Sequence, residues 1–144
     1  MLGDTPVEFQ RYGLVITTDR RRIDPQAVLD LLRTTFWAQE MERGVLERAI
    51  QNSVSFALFE GERLAGFGRV VTDLATYAYW TDVVVAAASR GKGLGRWLSE
   101  CMLAHPELQG LRRVALLTRD AADLYTLVGF QKGPGALIYM ERRS

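Results

Sequence analysis

The sequence predicts a mixed α/β domain (an α+β arrangement in which both strand senses occur), built on one twisted sheet with helices on both faces. Three observations carry that reading. Two apolar runs, residues 54–59 and 64–72, are separated by Glu60-Gly61-Glu62-Arg63, the pattern of an antiparallel hairpin. A β-branched run at 80–86 is followed by a glycine-rich turn, and then by Leu94, Trp97, Leu98, Cys101 and Met102 at helical spacing. Residues 113–118 (RVALLT) form another short buried strand, so strand, helix and strand make a crossover unit of the kind that joins parallel strands. Hairpin and crossover together require a mixed sheet.

The remaining elements fall around these. Residues 1–11 show little periodicity and read as a flexible tail. Residues 12–18 (YGLVITT) suit a first strand. Asp24-Pro25 is a helix start, with Asp24 as N-cap and Pro25 at the first helical position, and Val28, Leu31, Leu32, Thr35 and Phe36 follow as an apolar stripe. A second short helix is expected over 41–51, with Val45, Leu46, Ala49 and Ile50 on one face. Near the C-terminus, residues 120–128 suit a short helix stopped by Gly129, and 136–141 (ALIYME) reads as a last strand. The expected sheet therefore has six to seven strands, and residues 1–144 form a single domain.

Composition excludes several classes of function. A chain of 144 residues can bury roughly two-thirds of its unfolded surface without staples. A formal net charge of +1 gives no support to nucleic-acid binding. The longest apolar runs fall far short of the ~20 residues needed to cross a bilayer, and the N-terminus lacks a signal-peptide pattern. Cys101 is the only cysteine, which rules out an internal disulfide and a thiolate metal cluster, and it sits on an apolar helix stripe as a packing residue. His105, the only histidine, stands before Pro106 at a helix end, where a capping or dipole role is expected. The expectation is a soluble, cytoplasmic protein with no nucleic-acid or membrane partner and no metal.

The chemistry is concentrated in the turn. Arg90, Gly91, Lys92, Gly93, Leu94, Gly95 and Arg96 lead from a strand into the first turn of a helix. First-turn amides have no internal partners, and the helix dipole places partial positive charge there. Cations in that turn oppose the dipole, a cost that is explained if an anion lies between them. Neither the P-loop spacing nor the dinucleotide fingerprint fits, because no Ser or Thr follows Lys92 and no early βαβ unit precedes the glycines.

What fits is Arg-x-x-Gly-x-Gly at Arg90, Gly93 and Gly95, following Asp82-Val83-Val84-Val85. This resembles the pyrophosphate-binding signature of the GCN5-related N-acetyltransferase (GNAT) superfamily. A second stretch, residues 121–130, resembles that superfamily's closing motif: an Ala precedes Leu124-Tyr125, and Gly129-Phe130 follows. The order of elements also matches, so the resemblance covers about residues 14–140. It implies the GNAT-like acyl-CoA N-acyltransferase fold, acetyl-CoA as co-substrate, and direct attack of a primary amine on the thioester with no covalent enzyme intermediate. It further implies that residues 90–96 hold the pyrophosphate through backbone amides, and that Val83, Val84 and Val85 hold the pantetheine arm. An amide of Val84 or Val85 would serve as the oxyanion donor. Tyr125 falls where such enzymes place a tyrosine near the coenzyme sulfur, and a phenol can protonate a departing thiolate.

Two departures stand out. Thr118 occupies the position where the closing motif often has Asn, and residues 83–88 contain no acid, so Asp82 and Asp73 are the nearest carboxylates for deprotonating the acceptor, with a water chain as the alternative. The acceptor groove that this fold implies draws Phe36, Trp37, Asp73 and Tyr79, together with Tyr77, Trp80, Glu40 and Glu42, suiting a small cationic or aromatic amine. The expected activity is acetylation of a small-molecule primary amine. The alternatives are acetylation of a protein amine and an acyl-CoA-binding sensor or scaffold without turnover. A homodimer is a further expectation that comes from the resemblance alone.

Overall fold

A computed structural model describes residues 4–144 and contains one six-stranded sheet in the order β1-β2-β3-β4-β5-β6. The strands are β1 (Glu8–Arg11), β2 (Leu14–Thr17), β3 (Val54–Glu60), β4 (Arg63–Thr72), β5 (Tyr77–Val85) and β6 (Arg113–Leu116). All neighbours are antiparallel except β5 and β6, which are parallel. The helices are α1 (Pro25–Leu32), α2 (Arg43–Gln51), α3 (Leu94–Ala104) and α4 (Ala122–Leu127). Among the described residues no helix is long and apolar enough to cross a membrane.

Each face of the sheet has its own core. On one, Val54, Phe56, Leu58, Val70, Ala78 and Trp80 pack against Leu94, Leu98, Cys101 and Met102 of α3. On the other, Ala57, Phe67 and Val84 pack against Val28, Leu29, Leu31 and Leu32 of α1 and Leu46 and Ile50 of α2. Asp24 caps α1 as expected, its carboxylate accepting from the Gln26 amide at 3.0 Å. Cys101 is a core residue, and burial pushes its thiol up to about 12. His105 is fully buried and caps the following turn through Nδ1, which accepts from the Glu107 amide at 3.1 Å.

Three expectations change. Glu8–Arg11, expected in a flexible tail, is instead strand β1, paired with β2 across a two-residue turn; residues 1–3 of that tail lie outside the described residues. Tyr12 and Gly13 both adopt positive φ there, +45° and +79°, matching the twist of a two-residue hairpin. Residues 136–141 form no strand, so the sheet has six strands. The physical reason is that strand composition is not sufficient without a partner edge. The Gly133-Pro134-Gly135 break leaves Leu137, Ile138, Tyr139 and Met140 between 62% and 85% exposed, with only a Leu137-to-Pro134 turn bond at 3.1 Å. Helix α2 begins at Arg43 rather than 41, with Glu42 as N-cap, because Met41 is held outside it: its amide donates to the Ala38 carbonyl at 3.2 Å and its carbonyl accepts from Arg33 at 3.0 Å.

The feature that positions the site is a register slip between β4 and β5. Phe67 faces Val84 and Arg69 faces Thr81, so Asp82 and Val83 together oppose the single residue Gly68. This is a β-bulge, with Asp82 at φ +56°. It reverses the side-chain parity of the strand: Ala78 and Trp80 point to the α3 core before it, Val83 and Val85 point there after it, and Val84 points to the α1–α2 core. Gly68 has no room for a side chain, since a Cβ would lie 2.7 Å from the Met102 sulfur. Gly68→Ala is therefore expected to lower unfolding free energy by about 1–3 kcal/mol in chemical denaturation, because fully buried Met102 must shift. A variant as stable as the parent would show that α3 packs against the bulge more loosely than this.

Candidate active site

Strand β6 pairs with β5 only from Tyr77 to Trp80 and ends at Leu116. From Thr81 to Val85 the edge of β5 away from β4 has no strand partner among the described residues, so that stretch, apart from the Val85 carbonyl held by Arg90, offers backbone donors and acceptors to a ligand. A cavity of about 630 Å³ opens between the parted strands. Thr81, Asp82 and Val83 form one side, Leu116 to Ala121 and Tyr125 another, and Phe36 and Trp37, from the loop between α1 and α2, a third. Tyr79, Trp80 and the C-terminal residues Tyr139, Glu141 and Arg143 complete the lining.

Tyr125 is 8% exposed, and its ring stands edge-on to Trp80 at 6.3 Å and to Phe130 at 5.8 Å. Trp80 and Phe130 are themselves 5.0 Å apart. The cluster fixes the ring, while the hydroxyl has no hydrogen-bond partner among the described residues. Burial raises the Tyr125 phenol above its ordinary value, which keeps it protonated at neutral pH. Core packing and a place in the cavity wall thus coexist in one residue.

Asp82, from β5, lines the same cavity. Its side chain is 3% exposed, and Oδ2 accepts from Arg69 Nε at 3.1 Å and Nη2 at 3.0 Å. Oδ1 accepts from the Trp37 indole at 3.1 Å. Trp37 meets Phe36 edge-on at 5.1 Å, and the Arg119 guanidinium lies 3.7 Å over the Phe36 ring. The loop carrying Phe36 and Trp37 therefore touches both sides of the opening, at Asp82 and at Arg119.

Asp73 does not line the cavity. Its carboxylate accepts from the Ala75, Thr76 and Tyr77 amides and the Thr76 hydroxyl, closing its own turn. The Thr76 hydroxyl above all, then the amides, hold it well below the usual carboxylate range. Tyr79 lines the cavity, and burial raises its phenol, with the neighbouring Tyr139 adding to the shift. Thr118 also lines it and accepts from the Ala121 amide at 2.9 Å, which orders the entry to α4.

The glycine turn lies beyond the end of β5, outside the cavity. Gly91 and Gly93 adopt φ +82° and +75°, and a Cβ at either would meet nothing within 4 Å, so conformation and not space demands glycine. At Gly95 a Cβ would lie 3.4 Å from Leu124 and 3.8 Å from Val85, so α3, α4 and β5 approach closely there. Leu94 is buried beneath the turn. The cations are not free: Arg90 donates to the Val85 carbonyl at 3.2 Å, Lys92 pairs with Glu60 at 3.0 Å, and Arg96 faces Glu100 at 3.6 Å. Glu60 also accepts from Ser89 and Arg63, and these bonds, led by the one from Lys92, hold its carboxyl below the ordinary range.

Comparison with known proteins agrees with this architecture. Residues 25–130 match the profile of the acetyltransferase (GNAT) family. The chain belongs to that family. A solved GNAT-family protein from Xanthomonas campestris pv. campestris, provisionally assigned as an acetyltransferase, is 36% identical, with 94% of this chain and 96% of that one aligned and a TM-score of 0.86. A provisionally named acetyltransferase of Gibberella zeae is 28% identical over 83% of this chain and 80% of its own length. A Clostridium acetobutylicum structure solved with acetyl-CoA is 14% identical over 84% of this chain and 92% of that one, with a TM-score of 0.63, a likeness of fold alone.

Sequence reasoning missed Arg69 and Arg119 in this GNAT site. Arg69 carried a readable signal, because a cation inside an otherwise apolar strand needs a buried acid partner. Arg119 carried none. In the turn, Gly93→Ala is expected to cost about 1 kcal/mol in chemical denaturation, since alanine must take the left-handed conformation with no contact to relieve. Unchanged stability would mean that the turn re-forms with an ordinary φ.

Proposed function

We propose that this protein transfers acetyl from acetyl-CoA to a primary amine of a small molecule. The observation that carries the reading is the parting of β5 from β6, with Tyr125 and Asp82 contributed from different sides of one cavity. Family membership supports acetyl transfer, and the acetyl-CoA in the Clostridium relative supports the choice of donor.

The residues present fit that co-substrate. The glycine turn at 90–96 would meet the pyrophosphate with amides at the start of α3, and the unpartnered edge of Val83 to Val85 would hold the pantetheine arm. Arg90 and Lys92 would exchange their contacts with the Val85 carbonyl and Glu60 for the phosphates. The thioester supplies an electrophilic carbonyl and a thiol leaving group. The oxyanion donor would be the amide of Val85, because the alternation of the β4–β5 ladder, with the Ala86 amide donating to the Ala65 carbonyl, turns the Val84 amide toward Phe67 and the Val85 amide toward the open edge.

The acceptor would enter past Phe36, Trp37 and Tyr79. Asp82 lies in that wall to receive the ammonium and, directly or through water, the proton lost as nitrogen bonds to the carbonyl carbon. As the carbon–sulfur bond breaks, the Tyr125 hydroxyl would deliver a proton to the sulfur. A cavity of about 630 Å³ suits a small amine beside the acyl group.

The test is thiol release from acetyl-CoA with a panel of primary amines. The parent should turn over at least one, and Tyr125→Phe should lose about a hundredfold or more in kcat while keeping its affinity for the coenzyme. Because burial raises the phenol, the alkaline limb due to Tyr125 should lie above the ordinary phenol value of ~10, with turnover sustained below it. Undiminished turnover in Tyr125→Phe would remove the acid role. Coenzyme binding without any turnover by the parent would point to a sensor.

A further inference from the structure

We propose that Arg69 is a positioning residue of the acceptor site, fixing the Asp82 carboxylate so that one remaining acceptor position on Oδ1 is offered to the incoming amine. The inference rests on the transferase reading above and adds a residue that belongs to neither motif.

Lone-pair accounting leads to it. An ionised carboxylate has about four acceptor positions, two on each oxygen. Both positions on Asp82 Oδ2 are taken by Arg69, through Nε and Nη2. Oδ1 accepts one N–H, from Trp37, and among the described residues it has no second donor. The unused capacity therefore lies on the oxygen shared with a cavity-lining indole that is itself 45% exposed. A protonated amine has N–H groups to place there, and the aromatic side chains of Trp37 and Tyr79 in the same lining can hold its cation or its ring, the Phe36 ring being already covered by Arg119.

The backbone supports the same assignment. Without the bulge, Asp82 would continue the alternation of Ala78 and Trp80 and enter the apolar α3 core. With it, the carboxylate meets Arg69 and Trp37 at the cavity wall, at the cost of a left-handed aspartate in mid-strand. The Arg69 side chain is 14% exposed, and Asp82 is its one acidic partner among the described residues. The two guanidinium N–H groups converge on Oδ2 and fix that oxygen, and the Trp37 indole on Oδ1 then sets the rotation of the carboxylate; an ammonium lacks the planar pair of donors that holds Oδ2 this way.

The test measures steady-state constants with acetyl-CoA and benzylamine, tryptamine, glucosamine and spermidine, on the parent, Arg69→Lys, Arg69→Gln, Asp82→Asn and the Arg69→Gln/Asp82→Asn double variant. Arg69→Gln should raise the KM of the accepted amine about tenfold or more while the acetyl-CoA KM stays within about twofold, and Arg69→Lys should fall between it and the parent. The double variant should be no worse than the poorer single variant, because both substitutions disable one unit. An unchanged amine KM in Arg69→Gln, or losses that multiply in the double variant, would overturn the proposal. If Arg69→Gln fails to fold because Asp82 is left buried without its partner, Arg69→Lys decides. A raised amine KM with an unchanged coenzyme KM supports the role, and parental constants overturn it. A parent that binds acetyl-CoA but acetylates none of the four amines takes down the transferase reading and this inference together. A working transferase that is indifferent to Arg69 removes only the inference.

Discussion

The structure depends on one displaced residue in β5. Two residues, Asp82 and Val83, stand opposite Gly68, and everything after that point in the strand faces the other way. The slip lets a single strand serve two cores: Trp80 packs under α4, while Val84 packs under α1 and α2. It also coincides with the end of pairing to β6, so the strand leaves its neighbour where its own backbone bends. A regular β5 would have turned the Asp82 carboxylate toward the core of Leu98 and Met102.

Such an arrangement stores cost at the place where chemistry is proposed. A non-glycine residue at φ +56° is strained, and a carboxylate with a 3% exposed side chain needs strong compensation. Arg69 and Trp37 supply it with three N–H groups. Buried ion pairs are poor evidence of net stability, since a hydrophobic replacement is often as stable. What such a pair provides is a fixed direction. The glycine turn follows a related logic at lower cost: Gly91 and Gly93 take positive φ freely, and Glu60 holds Lys92. That pair is partly exposed, at 52% for Lys92 and 30% for Glu60, and surface pairs of this kind are worth little.

Much of this was legible in the sequence. The hairpin, the crossover through α3 and the Asp24 cap all follow from periodicity and turn chemistry, and each has a local cause. The placement of Tyr125 in the cavity wall followed from the closing motif and not from its helix pattern, which is equally that of a core residue. What escaped was non-local. Strand β1 hid behind a turn whose first residue is tyrosine, although Gly13 was the readable half of it. The segment at 136–141 has strand composition but no partner edge, and composition cannot report an edge. The Gly66-Phe67-Gly68 pattern, two glycines in one strand, was a readable mark of close backbone approach that the expected architecture did not use. Which strand would carry the extra residue, and that Asp82 would therefore meet Arg69, depended on pairing register. Asp73, an acid at the right distance in sequence, proved to close its own loop.

The most direct test of the central claim, that the parted strands and the glycine turn together form an acyl-CoA site, is equilibrium unfolding of the parent protein with acetyl-CoA, free CoA or ATP. A ligand at 100 times its dissociation constant adds ~2.7 kcal/mol to unfolding free energy. Stabilisation by acetyl-CoA and by CoA, with none from ATP at the same concentration, is the expected result, because ATP carries adenine and phosphates but no pantetheine arm to lie along Val83 to Val85. Equal stabilisation by all three would reduce the site to a phosphate-binding turn. No stabilisation by either coenzyme at millimolar concentration would contradict the account.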